Sequence, residues 1–174
     1  MIKSTKGKKS QFNSKLFLHL LAIIFVVINL SSFAIGNIVK IIPLFDLMVI
    51  FYYWFHRKIF SNFFIFFLGL WHDAIIGNFL GLTSICYLLA IKFFEIISNR
   101  LFIKENFMHI WYQFIAFSAV IIMLKFLFLT LLNNNIISII SPISSWILTI
   151  LFYVIMHKFF DYLSERLLED ASRY

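Results

Sequence analysis

Three ionisable side chains interrupt long apolar stretches of this chain and are the residues with which it could do chemistry. Asp46, Asp73 and Lys125 each lie among Phe, Leu and Ile residues. A carboxylate in such a segment can hold a proton, pair with a cation or cap a helix end. In lipid it must face protein or water rather than acyl chains. These positions are therefore predicted to face the inside of the molecule or a partner.

Asp73 lies between two glycines, each four residues away. Gly69, Asp73 and Gly77 share one face of a helix, and Gly81 follows four residues later. Small residues on one face allow a second helix backbone to approach closely. This glycine stripe, Gly69, Asp73, Gly77 and Gly81, predicts a helix-packing or partner-interface surface.

The depth of two charged residues and the spacing of two others predict two ion pairs. Asp73 and Lys125 lie about 6 Å and about 10 Å from the ends of their predicted helices, at 1.5 Å per residue. Similar depth predicts an intramembrane ion pair between them. The alternative is that Lys125 extends to the headgroups and Asp73 caps backbone donors at the Gly77 turn. Lys92 and Glu95, two further intramembrane polar residues, are three apart on one helix and are predicted to pair locally.

Other reactive groups point to no catalytic, cofactor-binding or metal site. His72 adjoins Asp73, but neighbours in sequence point to different helix faces, so the pattern disfavours metal or proton chemistry. Cys86 is the only cysteine, which excludes an internal disulfide. The chain has no phosphate-binding glycine loop and no Gly-x-Ser-x-Gly turn. The sequence therefore predicts a protein that is not an enzyme and needs no cofactor.

Composition indicates an all-α, polytopic membrane protein. The 174 residues are 62% hydrophobic, include 24 Phe and are only 13% charged. Apolar runs approach the length of about 20 residues that crosses a bilayer. The net charge of +7 comes from short basic patches beside these runs. Such patches are typical of membrane topology signals rather than of nucleic-acid binding.

The runs predict three regions and six transmembrane helices. A disordered basic cytoplasmic arm at 1–15 precedes a six-helix transmembrane domain at 16–163 and a charged cytoplasmic tail at 164–174. The helices are expected at 16–35, 43–55, 59–77, 80–98, 108–132 and 137–162, with short outer turns at 36–40, 77–78 and 133–135. Most of the fifteen Lys and Arg residues fall on one side, which predicts cytoplasmic N and C termini.

One segment resembles the rod shape-determining protein MreD family. That family carries a G-L-x-x-D-x-x-x-G-x-x-L-G segment after a helix that ends in Tyr-Trp. The matching residues here are Tyr53, Trp54, Gly69, Leu70, Asp73, Gly77, Leu80 and Gly81. Asp46 and Leu47 are similar to the family's Pro-Asp-Leu start of helix two, with Pro43 three residues earlier. The proline that often follows the family's Tyr-Trp is replaced here by Phe55, His56 and Arg57.

The resemblance implies a non-enzymatic scaffold of the bacterial elongation (Rod) complex in the inner membrane. Its implied partner is MreC, with direct or indirect links to MreB, RodA and a class B penicillin-binding protein, in support of lateral peptidoglycan synthesis and cell shape. The implied fold is similar to the substrate-binding component of energy-coupling-factor transporters. An alternative function is therefore a small-ligand-binding component of a vitamin-type transporter, although the short outer turns favour the scaffold.

Overall fold

A computed structural model describes residues 3–31, 43–77, 79–101, 106–133 and 140–172. All regular secondary structure in these ranges is helical, which confirms the predicted all-α class. The helices are α1 (Lys3–Ser31), α2 (Phe45–Ile50), which continues into a π-helical turn (Phe51–His56), α3 (Asn62–Ile76), α4 (Leu82–Leu101), α5 (Phe107–Asn133) and α6 (Ile140–Ser172).

The short helix α2 forms the centre of the bundle. Side chains from Leu47 through Tyr53 are each 1% exposed or less, as expected of a helix that is hydrophobic on all sides. The other helices surround it: α1 contacts α3, α3 contacts α4, α4 contacts α5, α5 contacts α6, and α6 returns to α1. The buried α2 is therefore enclosed by the other helices.

Both ends of α2 are fixed by its neighbours. At its start the Leu44 amide donates a 2.8 Å hydrogen bond to the hydroxyl of Thr149 on α6. At its end the backbone widens into the π-helical turn, where the Arg57 amide donates to the Tyr52 carbonyl over 3.1 Å. π-Helical turns are rare and change the direction of the side chains that follow. This turn directs Tyr52 towards α6.

Helix α3 has a defined beginning and end. The Ser61 hydroxyl accepts a hydrogen bond from the Phe64 amide, which is the usual capping of an orphan donor in a first helical turn. At the other end Gly77 adopts a left-handed conformation with φ of 76°. Glycine adopts this conformation without steric cost, so the chain reverses there into α4.

Two helical segments are long and apolar enough to cross a membrane. They are Phe107–Leu132 in α5 and Pro142–Leu167 in α6. The apolar segments Ser14–Ile28 and Asn62–Ile76 are shorter. Fifteen residues in α3 extend about 22 Å, less than the roughly 30 Å of a hydrocarbon core. This observation indicates that at least part of the chain associates with a membrane.

The prediction of a disordered N-terminal arm is wrong for the residues that are described. Helix α1 begins at Lys3 and continues without interruption into the apolar part. Each residue added to an existing helix gains a backbone hydrogen bond, so a polar extension can propagate from a packed segment. The predicted tail likewise continues α6 to Ser172. The predicted outer turn at 36–40 and residues 134–135 lie outside the described residues.

Candidate functional site

Polar side chains gather in two groups, one at each end of α2. The first group lies where the start of α2, the end of α3 and the start of α4 meet, and we name it the Asp73 cluster. Its members are Asp46, His72, Asp73, Thr83 and Tyr87, all of which are buried. It contains both aspartates that the sequence analysis selected. The first half of the candidate site is therefore this cluster.

Asp73 caps helix α4. One carboxylate oxygen, Oδ2, accepts hydrogen bonds from the Gly81 amide over 3.0 Å and from the Thr83 amide over 2.9 Å. The first amides of a helix have no partner within it, and an acidic side chain also suits the positive end of the helix dipole. Asp73 thus fastens the end of α3 to the beginning of α4.

The predicted ion pair between Asp73 and Lys125 does not form within the described residues. Lys125 Nζ lies instead 5.1 Å from the centre of the Tyr87 ring, in cation–π geometry. The physical reason is that Asp73 Oδ2 is directed at two backbone donors of α4. The aromatic face of Tyr87 supplies the favourable surroundings that the ammonium group needs.

His72 lies between the two aspartates. Its Nε2 is 3.8 Å from Asp46 Oδ2, and its Nδ1 is 3.9 Å from Asp73 Oδ1. The Thr83 hydroxyl lies 3.5 Å from the same Nδ1, and the Tyr87 hydroxyl donates a 2.5 Å hydrogen bond to Asp46 Oδ2. The imidazole of His72 therefore faces a carboxylate on each side, one from α2 and one from its own helix.

The position of His72 beside Asp73 and opposite Asp46 was not predicted from the sequence. Neighbouring residues on α3 do point in different directions, but α2 passes close enough to place Asp46 opposite His72. Metal binding is a separate question. In the part of the chain that the structure describes, no group of His, Cys, Asp or Glu has the arrangement to hold a metal ion.

Gly69, the first residue of the glycine stripe, packs against α4 of the same chain. A Cβ added at Gly69 would lie 2.6 Å from Ser84 Cα, so the two backbones touch, and the Ser84 hydroxyl donates to the Phe66 carbonyl over 2.8 Å. Gly77 and Gly81 serve a different purpose, because both have positive φ. A Cβ at Gly77 would meet open space, and one at Gly81 would make only an ordinary contact with the Leu70 side chain. The close approach predicted from the stripe is thus met by α4 at Gly69.

The second polar group, named the Asp161 cluster, joins the π-helical turn to α6. The Tyr52 hydroxyl donates to Asp161 Oδ1 over 2.5 Å, and Arg57 Nη2 donates to the same oxygen over 3.2 Å. His157 Nε2 lies 3.4 Å from Asp161 Oδ2, and the Tyr153 hydroxyl lies 3.3 Å from His157 Nδ1. A continuous polar network therefore connects the two elements.

Arg57 is partly exposed and sits in the turn after α2. Burial alone lowers its pKa, but the Tyr52 hydroxyl and the Asp161 carboxylate outweigh burial and raise that pKa above its ordinary value. None of the residues of this cluster was among the predicted site residues. Tyr153, His157 and Asp161 follow one another at four-residue spacing, and that polar stripe on an apolar helix was the available signal.

The remaining predicted polar residues, Lys92 and Glu95, lie on the outside of α4. Lys92 Nζ is 2.6 Å from Glu95 Oε2, as the three-residue spacing predicts. Their side chains are 63% and 40% exposed, respectively. They therefore belong to neither polar cluster.

Comparison with protein-family models, with curated proteins and with solved structures finds no significant match to this chain. The resemblance to the MreD family stays a prediction that rests on the quoted residues.

Proposed function

We propose that this chain is a non-enzymatic scaffold of the bacterial Rod complex, located in the inner membrane and partnered by MreC. The observation that supports this function is that the two aspartates of the family resemblance both bind neighbouring helices. Asp46 accepts from Tyr87, and Asp73 caps α4. Both carboxylates join helices to one another, which is what a scaffold requires of buried polar groups.

The proposed topology has six membrane-crossing helices and cytoplasmic termini. The Asp73 cluster then lies on the outer side and the Asp161 cluster on the inner side, where Arg57 and Lys58 satisfy the positive-inside rule. Together α2 and the π-helical turn extend only about 18 Å, so α2 crosses with its ends below the membrane surfaces. Polar clusters at both ends of α2 are consistent with helix ends that lie below the membrane surfaces.

MreB is proposed to bind on the inner side of this arrangement, and RodA and the class B penicillin-binding protein to join through the assembled complex.

The outer turn between α3 and α4 is the proposed contact with MreC. The face that carries Gly69 is occupied by α4, so a partner must bind elsewhere. At the turn, Leu80 is 74% exposed and the neighbouring Phe79 is also exposed. Apolar side chains at an exposed helix junction provide anchors that a partner can bury.

Co-purification with MreC from the same cell tests this proposal. Leu80→Ser removes an apolar anchor at the outer turn, and we expect the recovery of MreC to fall several-fold. Ile155→Ser makes a similar change on the outward face of α6 and serves as the matched control, because Ile155 is also highly exposed. Failure to recover MreC with well-folded wild-type protein would contradict the proposal.

One observation favours the alternative, a small-ligand-binding component of a vitamin-type transporter. Two carboxylates and a hydroxyl converge on His72, and ligand sites combine apolar walls with a few convergent polar groups. Mass spectrometry of the purified protein distinguishes the two functions. A stoichiometric small molecule that is lost on Asp46→Asn would support the transporter component, and its absence together with recovery of MreC would support the scaffold.

A further inference from the structure

We propose that the outward face of α4 is a dimer interface between two copies of this chain, with Lys92 of each copy paired to Glu95 of the other. The proposal rests on the membrane location proposed above, because the argument concerns charged groups at bilayer depth. It assigns a role to the exposed pair that neither polar cluster uses.

The outward face of α4 has the spacing of a helix-packing seam. Ile85, Leu89, Lys92 and Ile96 are all exposed and follow one another at intervals of four, three and four residues. That spacing is the heptad pattern by which two helices pack along their length. The exposed Phe93 widens the apolar part of the same face.

The position of Lys92 makes this face unusual for a surface in contact with lipid. Lys92 lies six residues before the inner end of the predicted span 80–98, about 9 Å along the helix and within the inner half of the hydrocarbon layer. Ionisable side chains at such depth almost always face protein or water. The neighbouring helix α3, by contrast, exposes Phe63, Phe67 and Trp71. The charged pair on α4 therefore requires a protein cover that an apolar face does not.

The charges on this face are complementary to those on the same face of a second copy of the chain. Each α4 presents one cation and one anion, 2.6 Å apart, on the same side. A two-fold axis parallel to the helices places Lys92 of one copy opposite the seam of the other, with Glu95 displaced by about 4.5 Å along the axis. A lysine side chain can reach across that displacement. Both pairs then form at once, because a two-fold interface is complementary to itself.

Disulfide cross-linking in native membranes tests the interface. With the buried Cys86 replaced by Ala, Leu89→Cys places a thiol in the seam, and Ile147→Cys places one on the exposed face of α6 as a control. We expect a disulfide-linked dimer from Leu89→Cys and only monomer from Ile147→Cys. Monomer from both variants, or a cross-link to a protein of another mass, would overturn the proposal.

Exchange of charges tests the pairing itself. In the Leu89→Cys background, Lys92→Glu or Glu95→Lys alone should lower the cross-linked fraction about tenfold, the effect of losing polar contacts of about 1.4 kcal/mol between membrane helices. When the two single variants are co-expressed with different tags, the mixed dimer should return to the wild-type level. Wild-type cross-linking by either single variant would contradict the pairing.

These outcomes remain separable from those of the proposed function. Recovery of MreC without any dimer would overturn the α4 interface alone. A dimer without recovery of MreC would overturn the Rod-complex scaffold and leave the interface in place. Because Lys92 and Glu95 are exposed in a single copy, their substitution should leave the thermal unfolding of the monomer unchanged, which serves as the folding control.

Discussion

The Asp73 and Asp161 clusters use the same kinds of side chain for different purposes. Asp73 is fully buried and binds backbone amides 8 and 10 residues further along the chain. Asp161 is partly exposed and binds side chains 104 and 109 residues away. A buried carboxylate that satisfies backbone donors shapes a local hairpin, whereas a network around a partly exposed carboxylate links distant parts of the chain. The first should contribute more to stability and respond less to salt.

The largest effect is expected at the contact between α3 and α4. Gly69→Ala places a methyl group 2.6 Å from Ser84 Cα and must push the two backbones apart, which should destabilise the fold by about 3 kcal/mol. Gly77→Ala is the control, because its Cβ has open space and only the positive φ costs about 1 kcal/mol. Thermal unfolding in one detergent compares them. Equal losses would show that the backbones are not in contact.

A smaller effect is expected at the cap itself. Asp73→Ala leaves the amides of Gly81 and Thr83 without a buried acceptor and should cost about 2 kcal/mol in the free energy of unfolding. Asp73→Asn keeps an accepting oxygen, so most of that stability should remain. Denaturation of both variants measures the difference. If Asp73→Asn is as damaging as Asp73→Ala, the negative charge matters more than the cap.

The Asp161 cluster should respond more weakly. Asp161→Ala removes acceptors from Tyr52 and Arg57, yet the ion pair is partly exposed, with side-chain exposures of 35% for Asp161 and 29% for Arg57. We expect a loss of about 1 kcal/mol or less in the free energy of unfolding. High salt should shrink this loss and leave that of Asp73→Ala unchanged. Identical salt dependence for the two variants would remove the distinction between the clusters.

The smallest effect is expected at Lys125. Lys125→Met keeps much of the side-chain volume but removes the ammonium group that lies 5.1 Å from the centre of the Tyr87 ring. The loss should be about 0.5 to 1 kcal/mol, as for other partly exposed cation–π contacts. Thermal unfolding of Lys125→Met, compared with that of Asp73→Ala, measures this loss of stability. A loss as large as that of Asp73→Ala would indicate that Lys125 compensates the charge of the Asp73 cluster.

The helices were predictable because apolar runs and their boundaries are local features. Gly77 ends α3 in a left-handed conformation, and of the three glycines in the stripe only Gly69 makes a close helix approach. The identity of the approaching helix was not predictable, since a small face fits α4 or a partner equally well. The role of His72 depended on where α2 passes, which no spacing on α3 encodes.

The centre of the fold was the least predictable part. Complete burial of α2 depends on five other helices, and its π-helical turn has no sequence signature that periodicity detects. The Asp161 cluster depends on the same turn, because the turn directs Tyr52 at a residue 109 positions away. Packing between residues that are far apart in the sequence determines these features, and the hydrophobic periodicity of the sequence does not reveal that packing.

The central claim is that the glycine stripe packs within the chain while the outer turn binds the partner. Co-purification of MreC with wild type, Asp73→Asn and Leu80→Ser tests it most directly. We expect MreC to be recovered with wild type and with Asp73→Asn, and in a several-fold smaller amount with Leu80→Ser. Loss of MreC with a stably folded Asp73→Asn protein, together with full recovery with Leu80→Ser, would contradict it.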